Sequence, residues 1–274
     1  MKPLKKYLNR PGNESLRAKI YAVASFFRAQ PRPILVYQMS KVGSTSVCRA
    51  LRSAGYHPLH VHTLAPDGRQ EVEAIYDNVD LKPAHYYTER LLRPYLNWTR
   101  HQLTVISLVR DPVAQHLSAA FQWPHRRSVV SAGVEGARHM IAERLSQPGS
   151  MDYTFNWFDE EIKAVLGVDV LKEGFNRTEG YGEYHGSRAR VLMVKLERLS
   201  ELLPTVISDF VVASCPLEEV RANAGGQKST GEVYAQVKNA LRLPEATCNR
   251  IYGHPWVRHF YTEDEVAAFK RRWG

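Results

Sequence analysis

The stretch Ile34-Leu35-Val36-Tyr37-Gln38-Met39-Ser40-Lys41-Val42-Gly43-Ser44-Thr45-Ser46 decides how this chain is read. Its first four residues are β-branched, aromatic or otherwise apolar, the make-up of a short buried strand. A polar loop around Gly43 follows, and Val47 to Ala54 reads as a helix stopped by Gly55. Strand, glycine loop and helix in that order make an anion cradle, because backbone N–H groups at a helix start are unpaired and partly positive. Gly43 permits close backbone approach, Ser44, Thr45 and Ser46 offer hydroxyls, and Lys41 supplies a mobile cation. The lysine precedes the glycine, so the Gly-x-x-x-x-Gly-Lys-Ser/Thr order of a triphosphate loop is absent. A polar turn capped by Ser44 or Thr45 is the alternative for this segment taken alone.

Working outward, the clearest strand is Leu103-Thr104-Val105-Ile106-Ser107-Leu108-Val109, with Arg110 at its carboxyl end. Asp111-Pro112 then opens a helix, Asp111 as cap and Pro112 at the first position. Ser118 lies two helical turns further on. An arginine fork at a strand end and a hydroxyl on the next helix can converge on one phosphate; an ordinary Arg–Asp pair beside a capped helix is the plainer alternative. Further strands are expected at His57–Val61, Val168–Leu171 and Val191–Val194. Helices are expected at 84–98, 197–203, 231–241 and 262–272. Short apolar strands alternating with helices predict an α/β fold, a mostly parallel central sheet flanked by helices. We expect a basic lead-in over 1–32 and a single α/β domain over 33–274, with insertions over the site at about 123–149 and 172–189.

Composition limits the partners without choosing one. The 274 residues carry 37 basic and 28 acidic side chains, a formal charge of +9, which favours anionic ligands. The basic residues are dispersed and not laced with aromatics, which argues against nucleic acid. Cys48, Cys215 and Cys248 are far apart and odd in number, so neither a disulfide framework nor a CxxC metal site is expected, and a reduced, cytoplasmic setting fits. The most apolar part of the lead-in, Ile20 to Phe27, is too short to span a membrane, though peripheral contact is compatible with it. No metal-ligand cluster is evident in the sequence, and no metal is expected.

Together, Lys41-Val42-Gly43-Ser44-Thr45-Ser46 and Arg110-Asp111-Pro112 through Ser118 resemble the two nucleotide-binding motifs of sulfotransferases that use 3′-phosphoadenosine-5′-phosphosulfate (PAPS). The likeness is greatest to bacterial sulfotransferase-like proteins labelled as capsular polysaccharide synthesis proteins. Val36 to Ser44 is similar to their opening, and His259-Phe260-Tyr261-Thr262-Glu263-Asp264-Glu265 to their closing segment. The resemblance implies a P-loop-like, sulfotransferase-type three-layer architecture. It also implies a first loop on the 5′-phosphosulfate, and Arg110 with Ser118 on the 3′-phosphate. The family's late basic loop over the 3′-phosphate would correspond to Gly225-Gly226-Gln227-Lys228-Ser229, making Lys228 a ligand; a solvated turn is equally consistent. Cytosolic small-molecule sulfotransferases place a proline before the lysine and a tryptophan closing the loop. Here Ser40 and Ser46 stand there, which leaves adenine stacking unassigned and leans toward a sugar acceptor.

Sulfuryl transfer to a hydroxyl needs a proton acceptor, which contributes roughly 10²–10⁴-fold. His60 and His62 end the second expected strand, and being two apart they point to one side. His62, nearer the loop, is the first candidate, His60 the second, and Glu89 and His116 are alternatives. Lys41 is expected to neutralise charge on the bridging oxygen as the bond to it breaks. Phe155, Trp157 and Phe158 with Asp159, Glu160 and Glu161 could line a sugar site, although helical spacing favours packing onto the core. Other readings remain: a nucleotide kinase, which would need triphosphate and magnesium, or a non-catalytic nucleotide- or polyanion-binding module.

Overall fold

The computed structural model of the chain describes residues 14–30, 32–66, 82–122, 126–218 and 228–274, with backbone alone at 126–127 and 228–230. Its centre is one five-stranded sheet, in the order β2-β1-β3-β5-β4. β1 (Ile34–Tyr37) pairs parallel with β2 (Leu59–Val61) on one side and with β3 (Leu103–Val109) on the other. β5 (Ala189–Lys195) lies parallel beside β3, and β4 (Tyr181–His185) closes the edge antiparallel to β5. An α/β chain with a mostly parallel sheet is therefore what forms. β3 and β5 are buried along almost their whole length, as continuous apolar runs require when both faces are covered.

The helices follow from caps and periodicity. α1 (Glu14–Ala29) packs on α3 (Ala84–Trp98) and on β2, while α2 (Ser44–Ser53) packs on β1 and β2. α4 (Pro112–Ala120) begins where the sequence places it, with the Asp111 side chain accepting from the Val113 N–H at 3.1 Å. α5 (Arg126–Ser131) leads into α6 (Gly133–Ser146), which packs on α4 and on α8 (Lys228–Ala240). Between them in sequence, α7 (Asp152–Trp157) continues through a π-helical stretch, Phe158–Lys163, to a last turn at Ala164–Leu166. α9 (Glu245–Tyr252), α10 (Pro255–Phe260) and α11 (Glu263–Trp273) finish the chain. At α11, Thr262 and Glu265 form a reciprocal capping box. Among the described residues no helix is long and apolar enough to cross a membrane.

Three local expectations are corrected. Val168–Leu171 is a buried loop and turn instead of a strand: Val168 and Val170 do point inward, but Asp169 accepts from the Lys172 N–H and pairs with Lys163. That side chain closes the backbone on itself, as Asp does in turns. The interval 172–189 contains β4, which adds an edge to the sheet. Finally, α2 starts at Ser44, three residues before Val47, because Gly43 makes the turn.

Candidate functional site: a glycine loop beside a histidine cluster

The four parallel strands end on one side of the sheet. The chain runs from β1 to β2 on one flank and then crosses to β3 on the other, so the strand order reverses between β1 and β3. Ligands of open α/β sheets bind at such a crevice. The loop 38–43 leaves the end of β1 there, and Arg110 leaves the end of β3.

The loop backbone is unusual. Lys41 takes a positive φ of 68°, and Gly43 one of 103°. For lysine that geometry costs roughly 1–2 kcal/mol, which surrounding contacts must hold. Arg110 Nη1 donates to the Lys41 carbonyl at 2.9 Å, and Gln115 Nε2 donates to the Ser40 carbonyl at 2.9 Å. Both carbonyls are thereby tied to the junction of β3 and α4. Gly43 is the N-cap of α2 and has no side chain to cap it. A Cβ at Gly43 would collide with Cδ1 of Leu196, from the end of β5. Ser44 is buried, Thr45 exposed and Ser46 half-buried, the Ser46 N–H bonding the Gly43 carbonyl at 3.0 Å.

The charge at this point is lopsided. Burial, and then the positive charge of Arg110, hold the Lys41 ammonium below its usual range. Two cations therefore neighbour each other beside strained backbone, an arrangement that an anion relieves. The acids nearest Arg110 are already engaged. Asp111 accepts from Tyr252 Oη at 2.6 Å and from Trp273 Nε1 at 2.7 Å, while Glu197 accepts from the Asp111 N–H at 2.8 Å and from Tyr261 Oη at 3.3 Å. Fully buried Lys195, which ends β5, donates to both oxygens of Glu265 and to the Arg177 carbonyl. The closing segment of the chain thus braces the strand ends under the loop.

Ser118 sits half-buried in α4, two turns from Arg110, and makes no hydrogen bond to it. Lys228 begins α8, but its side chain and residues 219–227 lie outside the described residues. His116 is fixed by α7: the Thr154 hydroxyl donates to Gln115 Oε1 at 3.2 Å and so accepts from His116 Nε2–H at 3.0 Å. Burial lowers His116 to about 4, so it is neutral and its Nε2 is occupied. Phe155, Trp157 and Phe158 are buried core residues, so these three rings do not form an exposed wall for a sugar.

Beyond β2 the chain is held from several directions. Glu89 Oε1 accepts the N–H groups of His62 (2.7 Å) and Thr63 (3.3 Å). Glu161 Oε2 accepts those of Leu64 and Ala65 at 2.7 and 3.0 Å, together with the Tyr37 hydroxyl. Trp157 Nε1 donates to the His62 carbonyl, and Arg93 donates to the carbonyls of Thr63 and Leu64. Burial pushes the Glu89 carboxyl up to about 8, and burial likewise raises Glu161. His62 Nδ1 lies 2.6 Å from the Gln38 carbonyl oxygen. His62 is held below its usual range chiefly by burial, and Lys41 contributes to the lowering, which puts this ring within electrostatic reach of the loop. His60 and His85 complete a cluster with His62.

Sequence reading missed His85, and it named Glu161 only as part of a possible sugar lining, whereas the carboxylate holds the backbone after β2. His85 had one usable signal, its position one helical turn before Glu89.

A family model described as "putative capsular polysaccharide synthesis protein" matches residues 144–262, from the end of α6 to the cap of α11. No curated protein and no solved structure matches the chain. The matched segment supplies Thr154, which bonds His116 and Gln115, Glu161, which holds the chain after β2, and Lys195 and Glu197 at and just beyond the end of β5.

Proposed function

We propose that the chain is a PAPS-dependent sulfotransferase acting on a hydroxyl of a polysaccharide or related glycoconjugate. The observation that carries this reading is the pairing of Lys41 with Arg110 across a loop held in left-handed backbone at two positions. A nucleotide with phosphates at both its 5′ and 3′ ends gives each cation an anion. The matching family's description supports a role in polysaccharide synthesis.

PAPS supplies the sulfuryl group. Amides of the first turn of α2, with Ser44 and Thr45, hold the 5′-phosphate, and Ser46 lies beside them. Arg110, Ser118 and Lys228 take the 3′-phosphate. Lys41 neutralises the bridging oxygen as its bond to sulfur breaks, the largest electrostatic demand of the reaction. The acceptor oxygen forms the new bond to sulfur, and its proton passes to His62. That ring is neutral and carries its free lone pair on Nε2, since a carbonyl partner at Nδ1 can only accept. His60 is the second candidate for this step.

The test is calorimetry with 3′-phosphoadenosine-5′-phosphate, the desulfated product, against ATP with magnesium. Preference for the bisphosphate is expected, and Arg110→Ala should abolish discrimination between it and the analogue lacking the 3′-phosphate. Equal or tighter binding of magnesium ATP would overturn the reading. If the 3′-phosphate preference survives in Arg110→Ala, the role given to Arg110 is wrong.

A further inference from the structure

His60 lies in β2 and His62 just beyond its end, and His85 comes from the first turn of α3. One ring nitrogen from each lies within 4.8 Å of the others. Ring centroids are 4.5 Å apart for His60 and His62, 4.8 Å for His62 and His85, and 5.8 Å for His60 and His85. Sequence spacing hides this cluster, because a helix brings His85 back over the end of β2.

Two observations say that the cluster is built for a ligand. Nε2 of His60 is buried and has no hydrogen-bond partner, a costly state for an imidazole nitrogen unless something occupies it. His62 must donate Nδ1–H to the Gln38 carbonyl, which turns its lone pair out on Nε2. A backbone carbonyl on the far nitrogen is the outer partner that orients metal-ligating histidines. Burial keeps all three rings neutral, His85 down to about 3, and neutral imidazole is the ligating form.

We infer that His60, His62 and His85 bind one divalent transition-metal ion of the zinc class. Three neutral nitrogens with a position left open suit zinc, cobalt or nickel over magnesium or calcium, which prefer oxygen. Tetrahedral zinc at about 2.0–2.1 Å sets its ligand nitrogens about 3.4 Å apart. The rings therefore need to close by no more than roughly 1.4 Å, a side-chain rotation. A cavity of about 200 Å³ bounded by Tyr21, Ser25, Arg52, His60, His85 and Thr88 adjoins two of the three rings. Arg52 and Lys41 oppose a cation here, since both depress a ring of the cluster.

A neutral imidazole carries one lone pair. A metal on His62 Nε2 removes that nitrogen as a proton acceptor, so zinc loading would silence any reaction that uses it. Metal binding itself is independent of the nucleotide and is read without it.

The test uses tag-free full-length protein, stripped with chelator and titrated with Co²⁺, followed by visible absorption and competed with Zn²⁺. One equivalent is expected to bind with the spectrum of a nitrogen-rich site. His85→Ala should weaken binding at least about 100-fold, the upper end of what even an outer-partner loss costs. His139→Ala, at an exposed site on α6, should leave it unchanged. Absence of a stoichiometric site, or equal affinity in His85→Ala, would overturn the inference. Should that variant fail to fold, X-ray absorption of the zinc-loaded wild type decides: three imidazoles per zinc support the site, and fewer refute it.

Discussion

Replacing Asp111 should separate two costs that its carboxylate now prevents. Oδ1 accepts from the Val113 N–H and the Tyr252 hydroxyl, and Oδ2 accepts from the Trp273 indole. All are buried at the junction of β3, α4 and the last helix. In Asp111→Ala the helix loses its cap, about 1 kcal/mol, and two buried donors lose their acceptor at about 1–3 kcal/mol each. The sum is about 3–7 kcal/mol. Burial holds the Asp111 carboxyl above its usual range despite these bonds, so removing the charge gives some of this back, and about 3–5 kcal/mol is expected. Asp111→Asn keeps the shape but turns one oxygen into a donor. If the amide oxygen faces Trp273, the new N–H groups face the Val113 N–H; if it is flipped, they face the indole. Either way one donor meets another, at about 1–3 kcal/mol. Urea unfolding followed by circular dichroism, with slopes compared to confirm a common transition, reads both values. Stability should fall from wild type to Asn to Ala in distinct steps. The reasoning fails if Asn lies within about 0.5 kcal/mol of wild type, or if Ala is no worse than Asn.

Two further outcomes follow from the same site. Glu89 has its carboxyl pushed up to about 8 from 4.5 by burial. Its contribution to stability is therefore complete below pH 4.5 and is lost as pH rises toward 8, at up to about 1.4 kcal/mol per unit. Glu89→Gln keeps an oxygen for the His62 and Thr63 amides, so it should gain on wild type steadily between pH 5 and 8; a constant gap across that range would refute the buried, protonated carboxyl. Gly43→Ala meets a φ of 103° and the Leu196 side chain. Leu196 can rotate aside but the backbone strain cannot be avoided, so roughly 1–3 kcal/mol of stability should be lost, along with anion affinity; denaturant midpoints matching wild type would disprove that strain.

How much was readable depended on whether a signal was local. β3 was legible residue by residue, because an unbroken apolar run ends at a charged residue and Asp-Pro starts a helix. Asp111 as cap and Thr262 as the start of α11 were equally local. β4 was not: Tyr-Gly-Glu-Tyr-His has little strand character alone and exists through its register on β5. Val168–Leu171 showed the opposite failure, where alternation with the right period was overruled by the Asp169 side chain. The loop's residue types raised the expectation of an anion site. Its left-handed Lys41, and the support from Gln115, depend on contacts far apart in sequence, and so does the meeting of His85 with His62.

The sheet has two ends, and each is closed to strangers in its own way. β2 is three residues long and lies under α1 and α3. β4 presents Glu183 and His185, paired at 3.2 Å, on its exposed positions, with Gly182 between Tyr181 and Glu183. Short, covered or charged borders are how sheets avoid templating strands from neighbouring molecules. The protein should thus stay free of edge-to-edge aggregation at concentrations where a bare parallel sheet of this apolar content would not.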